Sequence, residues 1–168
     1  MRNTNSLKEN YISLQKNDAP LLLYNSIILN TEELSSLNLK EISESKVIKC
    51  PESISFFGYV GINGLIFLTG NQKFKFTTLK EIKSKQANGI ADNFIYALNG
   101  YIITDSTIKI SKKSVVEIEV LQSGKEKGLN QKYKNFTCLN VWTLTKEERK
   151  EIKFKSCGTW RLYAETHK

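Results

Sequence analysis

Histidine is almost missing: the single residue, His167, stands next to the end of a 168-residue chain. Ser-His-Asp and Cys-His chemistry both need a positioned imidazole, and a histidine-rich metal site needs several. Neither is expected, and no catalytic residue, metal or cofactor is assigned; the chain reads as a non-enzyme. Proline and glycine are scarce, at 2 and 9 residues, which excludes collagen-like and low-complexity chains. The 3 cysteines, Cys50, Cys138 and Cys157, form no CxxC pair, so a structural zinc site is not expected. Cys50 and Cys138 lie in apolar runs and read as buried thiols. A Cys138–Cys157 disulfide would need an oxidising compartment and would leave one thiol over. Arginine is confined to Arg2, Arg149 and Arg161, so the usual reader of base edges is nearly absent. No run approaches the ~20 apolar residues of a membrane helix. No apolar leader segment precedes residue 20. The expected location is the cytoplasm, or the periplasm or cell envelope if a leader has been removed.

What is present is an ordinary globular composition: 40% hydrophobic, 25% charged and 10% aromatic, enough for one domain or two small ones. Lysine gives the chain a formal net charge of +8. The lysines are spread out, with denser stretches only at residues 109–113 and 125–134. They suit either an anionic partner such as nucleic acid or plain solvation of strand faces and edges.

Periodicity and turn residues predict short elements. Residues 1–19 form a polar arm, with at most a short helix near residues 7–14. Residues 21–24 and 27–29 read as a hairpin about Asn25–Ser26, and Asn99–Gly100 between residues 94–98 and 101–104 is a type I′ hairpin signal. Strands are expected at 46–50, 53–60, 65–69, 73–76, 115–121, 136–144 and 158–164. Asn30 with Glu33, Thr78 with Glu81 and Thr145 with Glu148 have capping-box spacing and predict helices after residue 30, over 79–87 and to about 153. The fold class is therefore α+β, a mixed or antiparallel sheet with a few short helices.

The order hairpin, strand, loop, strand occurs twice. Asn25 matches Asn99, Ile28 matches Ile102, Val47 matches Val120 and Thr69 matches Thr143, all about 73–74 residues apart. In the first copy the run continues through Glu41-Ile-Ser-Glu-Ser-Lys-Val-Ile-Lys49, Phe57-Gly58 and Gly61-Ile-Asn-Gly-Leu-Ile-Phe-Leu-Thr69. In the second it runs through Ser114-Val-Val-Glu-Ile-Glu-Val-Leu-Gln122, Gly128 and Leu139-Asn-Val-Trp-Thr143. This pattern resembles the plug domain of TonB-dependent outer-membrane receptors in its Bacteroidetes form. The copies depart from it where Tyr24-Asn25-Ser26 replaces the Asp-Gly turn and where the second copy lacks the Gly-x-Asn-Gly step. The length leaves no room for a transmembrane barrel. The resemblance implies two plug-like repeats, over 20–93 and 94–168, and a non-catalytic binding or scaffold role with a protein or small-ligand partner.

Candidate binding residues are Tyr59, Asn63, Lys132, Tyr133, Trp142 and Trp160. Tyr59, Trp142, Trp160 and Tyr163 would matter as an exposed aromatic cluster, and core packing is their ordinary alternative. Lys132 and Tyr133 interleave charge and aromaticity, as single-strand binders do. Asn63 sits in the Gly-x-Asn-Gly step, whose glycines read as backbone devices; a phosphate cradle would be followed by a helix, and here a strand follows. Glu117 and Glu119 share one face of a strand and read as solvent-facing ion pairs with lysines. Basic nucleic-acid or anionic-polymer binding is the alternative function.

Overall fold

The computed structural model describes residues 20–86, 94–122 and 137–151. Two mixed sheets and a few short helices make it α+β. β1 (Leu21–Tyr24) and β2 (Ile27–Leu29) are joined by the turn Asn25–Ser26, with φ 46° and 64°. Positive φ at both positions is the type I′ geometry that matches strand twist. Helix α1 (Thr31–Ser35) follows, capped by the Asn30 side chain on the Glu33 amide at 2.9 Å. Edge strand β3 (Ile42–Ile48) starts earlier and stops earlier than its apolar residues suggest.

Residues 53–60 are not a strand. They form α2 (Glu52–Phe57) and a 3-10 turn over Gly58–Gly61. Ser53 and Val60 are buried and Phe57 packs against the core, a spacing of four and three that places all three on one helical face. β4 (Leu65–Gly70), β5 (Phe76–Thr78) and α3 (Leu79–Gln86) complete the first half. The Thr78–Glu81 box is reciprocal, each side chain taking the other's amide at 3.2 Å.

β6 (Phe94–Leu98) and β7 (Tyr101–Ile103) turn at Asn99–Gly100, φ 51° and 84°. β8 (Lys109–Ser111), which the sequence reading missed, precedes β9 (Glu117–Gln122), β10 (Thr137–Trp142) and α4 (Lys146–Glu151). Expected elements at 7–14 and 158–164, the polar loop at 125–134 and Cys157 lie outside the described residues.

The larger sheet has the order β3-β4-β1-β2-β8-β5, the smaller β7-β6-β10-β9. Within them, β3-β4-β1-β2 and β9-β10-β6-β7 have the same pairings: antiparallel, parallel, antiparallel. The two units therefore share strand order and direction. β8 crosses over, pairing parallel to β2 and antiparallel to β5 in the larger sheet.

One apolar cluster joins both sheets: Leu21, Leu23, Ile28, Leu65 and Ile110 meet Leu98, Ile103, Leu139 and Val141. The other face of the larger sheet (Leu22, Tyr24, Leu29, Ile42, Leu68) is covered by Leu34, Leu37 and Phe74. Sandwiched this way, β1 is buried on both sides, which is why it reads as a continuous apolar run.

Candidate functional site

Two surfaces collect exposed or charged side chains with chemistry of their own. The first lies along β3. Glu44, Lys46 and Ile48 alternate onto one face of this edge strand and, with Phe56, Phe67 and Thr69, line an open groove of about 280 Å³. Phe56 is 57% exposed and meets Phe67 edge to face at 6.3 Å. On the opposite face Val47 is 53% exposed. Among the described residues no strand pairs with the outer edge of β3, and neither Glu44 nor Lys46 has an ion-pair partner.

The second surface is the outer face of the smaller sheet. Glu117 and Glu119 from β9 lie beside Asn140 and Trp142 from β10, with Asn140 paired to Glu119 and Trp142 to Glu117. Glu119 Oε2 accepts from Trp142 Nε1 at 2.6 Å and from Asn140 Nδ2 at 3.1 Å. Asn140 Oδ1 in turn accepts from the Gly100 amide at 3.0 Å. Arg149 of α4 lies 4.1 Å over the Trp142 ring and donates to Glu117 at 2.7 Å and to the Leu144 carbonyl at 3.0 Å. The expected lysine pairs are thus replaced: Glu117 takes an arginine, and Glu119 takes two neutral donors. Arginine suits the place because its planar fork can stack on the indole while bonding the carboxylate. The cluster is largely satisfied internally and fastens α4 to the sheet.

The candidate residues separate. Trp142 is 7% exposed and belongs to this cluster. Asn63 is exposed in the turn before β4. Its neighbours are sterically required glycines. A Cβ on Gly61 would lie 2.7 Å from the Ser53 carbonyl oxygen, and one on Gly64, at φ 94°, would lie 2.9 Å from that of Ile48. Tyr59 lies in the 3-10 turn, its side chain outside the description, and Lys132, Tyr133 and Trp160 lie outside the described residues. Cys50, expected buried, is exposed because the strand ends before it, at Ile48; Cys138 is buried. The β3 edge was missed as a candidate, although its Ser-Glu-Ser-Lys alternation was visible.

Glu33 was also misread. Its amide is capped as expected, but its side chain is buried and accepts from Ser111 Oγ at 2.8 Å and from Ser114 Oγ. Ser114 Oγ also accepts from the Asn30 amide at 2.7 Å, so a hydroxyl stands between the two ends of the box. Among the described residues no group of three His, Cys, Asp or Glu could hold a metal ion, and no helix is long and apolar enough to cross a membrane. Comparison with family models, curated proteins and solved structures gives no match.

Proposed function

We propose that the protein is a non-catalytic binding and scaffold module of the cell envelope, two plug-like units sharing one core, that engages partners through open sheet edges. The observation that supports this is the β3 edge, where unpaired backbone borders the groove holding Phe56 and Phe67. An extended segment can add to such an edge through main-chain hydrogen bonds, with side-chain pockets supplying selectivity. The envelope assignment rests on the plug resemblance of residues 20–70 and 94–143.

The test is capture from envelope extracts by the full chain and by a Val47→Asp/Phe56→Asp variant. Both positions are exposed, so folding should survive, and circular dichroism checks it. Loss of captured protein in the variant supports the reading. An empty capture by the wild type together with turnover in an activity screen overturns it.

A second reading, binding of nucleic acid or another anionic polymer, is favoured by one patch. Lys75, Lys109, Lys112 and Lys113 are exposed at the β5–β8 edge, and Lys109 Nζ lies 4.9 Å over the ring of Phe76. Lysines beside a half-exposed aromatic are the elements of a single-strand platform. Binding to an oligonucleotide that weakens steeply with salt, and is lost in Lys109→Glu/Lys112→Glu, would support it.

A further inference from the structure

We infer that the β3 edge recognises a second copy of this chain, the two β3 strands pairing antiparallel about a two-fold axis at Ser45. The inference deepens the binding reading and rests on it: it names the partner of the same edge.

The argument is charge complementarity. With Ser45 opposite its own copy, Glu44 falls opposite the partner's Lys46, and Lys46 opposite the partner's Glu44. Both pairs lie on the groove face, where residues directly across an antiparallel ladder bring their Cβ atoms within about 5 Å. Beyond these three residues the irregularity between Ile42 and Glu44 ends the ladder on both sides. Moving the axis to Glu44 sets carboxylate against carboxylate, and moving it to Lys46 sets ammonium against ammonium. Of these three registers the charges select the one centred on Ser45.

Alternating charges on an edge ordinarily discourage foreign strands. Here that penalty vanishes for one partner, an antiparallel copy of the same strand. No other edge of the described residues has this property. Self-pairing of β9 about Ile118 would set Glu117 against Glu119, and both are already engaged by Arg149, Trp142 and Asn140. β5 and β7 carry no charged residue. The ladder with β4 is regular from Glu44 to Ile48; its one irregularity lies between Ile42 and Glu44. An isologous contact of this kind joins the two larger sheets into one and sets the two Phe56-lined grooves on the same face.

Sedimentation velocity over a concentration series tests this on the full chain. The wild type should dimerise reversibly. Glu44→Lys and Lys46→Glu each set like charges opposite in both pairs and should weaken the dimer roughly tenfold or more. The double variant Glu44→Lys/Lys46→Glu restores opposite charges and should recover it. Mixing the two single variants should give a heterodimer, an outcome that a general folding defect cannot produce. A wild type that stays monomeric throughout, or single variants that dimerise as well as it does, overturns the inference. A monomeric wild type that still captures a different protein through β3 overturns self-pairing while leaving the edge-binding reading standing.

Discussion

The two four-stranded units have one topology and two ways of finishing it. Each begins with a hairpin whose first turn residue is an asparagine at positive φ, and each asparagine reaches across to the end of the parallel partner strand. Asn25 accepts from the Gly70 amide at 3.2 Å and donates to its carbonyl at 2.8 Å. Asn99 accepts from the Thr143 amide at 2.8 Å and donates to its hydroxyl at 2.8 Å. The matching backbone bonds are Asn25 to the Leu68 carbonyl and Asn99 to that of Val141, each 2.9 Å. By this clamp Thr143 corresponds to Gly70, so the match to Thr69 is displaced by one residue. The units differ in what covers their outer faces. In the first, an apolar layer buries that face. In the second, Glu117, Glu119, Asn140, Trp142 and Arg149 hold it by hydrogen bonds. The same framework thus tolerates either finish provided the clamp is made.

The largest expected break in that equivalence is at Gly70. A Cβ there would collide with the Glu41 carbonyl and the Tyr24 hydroxyl, so Gly70→Ala should cost about 3 kcal/mol in chemical denaturation. Thr143→Gly at the corresponding place should cost about 2 kcal/mol, through the buried Asn99 amide left without its hydroxyl partner and the added chain entropy. Equal costs would mean that the close contacts of Gly70 do not set the first unit apart.

Next come the clamps themselves. Asn99 is buried, so Asn99→Gly, which keeps the turn geometry, strands the Thr143 amide and should cost about 2 kcal/mol. Asn25→Gly should cost about half that, because Asn25 is exposed and water can replace the lost partner. In the polar face of the second unit, Trp142→Phe removes the indole donor from Glu119 and should cost about 1–2 kcal/mol. Glu117→Gln removes an ion pair whose side chains are 16% and 34% exposed, and should cost roughly 0.5 kcal/mol, a difference that shrinks with added salt.

The clamped turns were legible as turns because asparagine and glycine tolerate positive φ, a property of the residue itself. So were the boxes at Thr78–Glu81 and Thr145–Glu148, which close within four residues. What was illegible depends on distant partners. Glu33 was diverted from its box by Ser111 and Ser114, 78 and 81 positions away. The Glu119–Trp142 bond exists only once β9 and β10 are in register. α2 was misread because a stretch of eight residues with five apolar ones fits a strand or a helix face equally until its neighbours choose. β8 was passed over because two of its three residues are Lys and Ser, and it becomes a strand only between β2 and β5. The charge pattern of β3 was plain to read, but its meaning required knowing that β3 is an edge.

The smallest effect concerns the point where the units part. After β2 the first unit enters α1; after β7 the second turns back to send β8 into the larger sheet. That turn is made by Asp105, whose Oδ1 accepts from the Thr107 hydroxyl at 2.6 Å and from the Thr107 amide at 2.8 Å. These two bonds, the hydroxyl's first, hold the Asp105 carboxyl below the ordinary value of 3.8, against a small opposing effect of burial. A depressed carboxylate contributes stability above its unfolded value, and that contribution drains away as pH falls through the folded value. The carboxylate is nearly all in water, so its share of the global stability is slight. The local readout is clearer: an NMR titration of Asp105 should give a midpoint below 3.8, and Thr107→Val should move it upward. An unmoved midpoint would show that the Thr107 hydroxyl is not what holds the Asp105 charge.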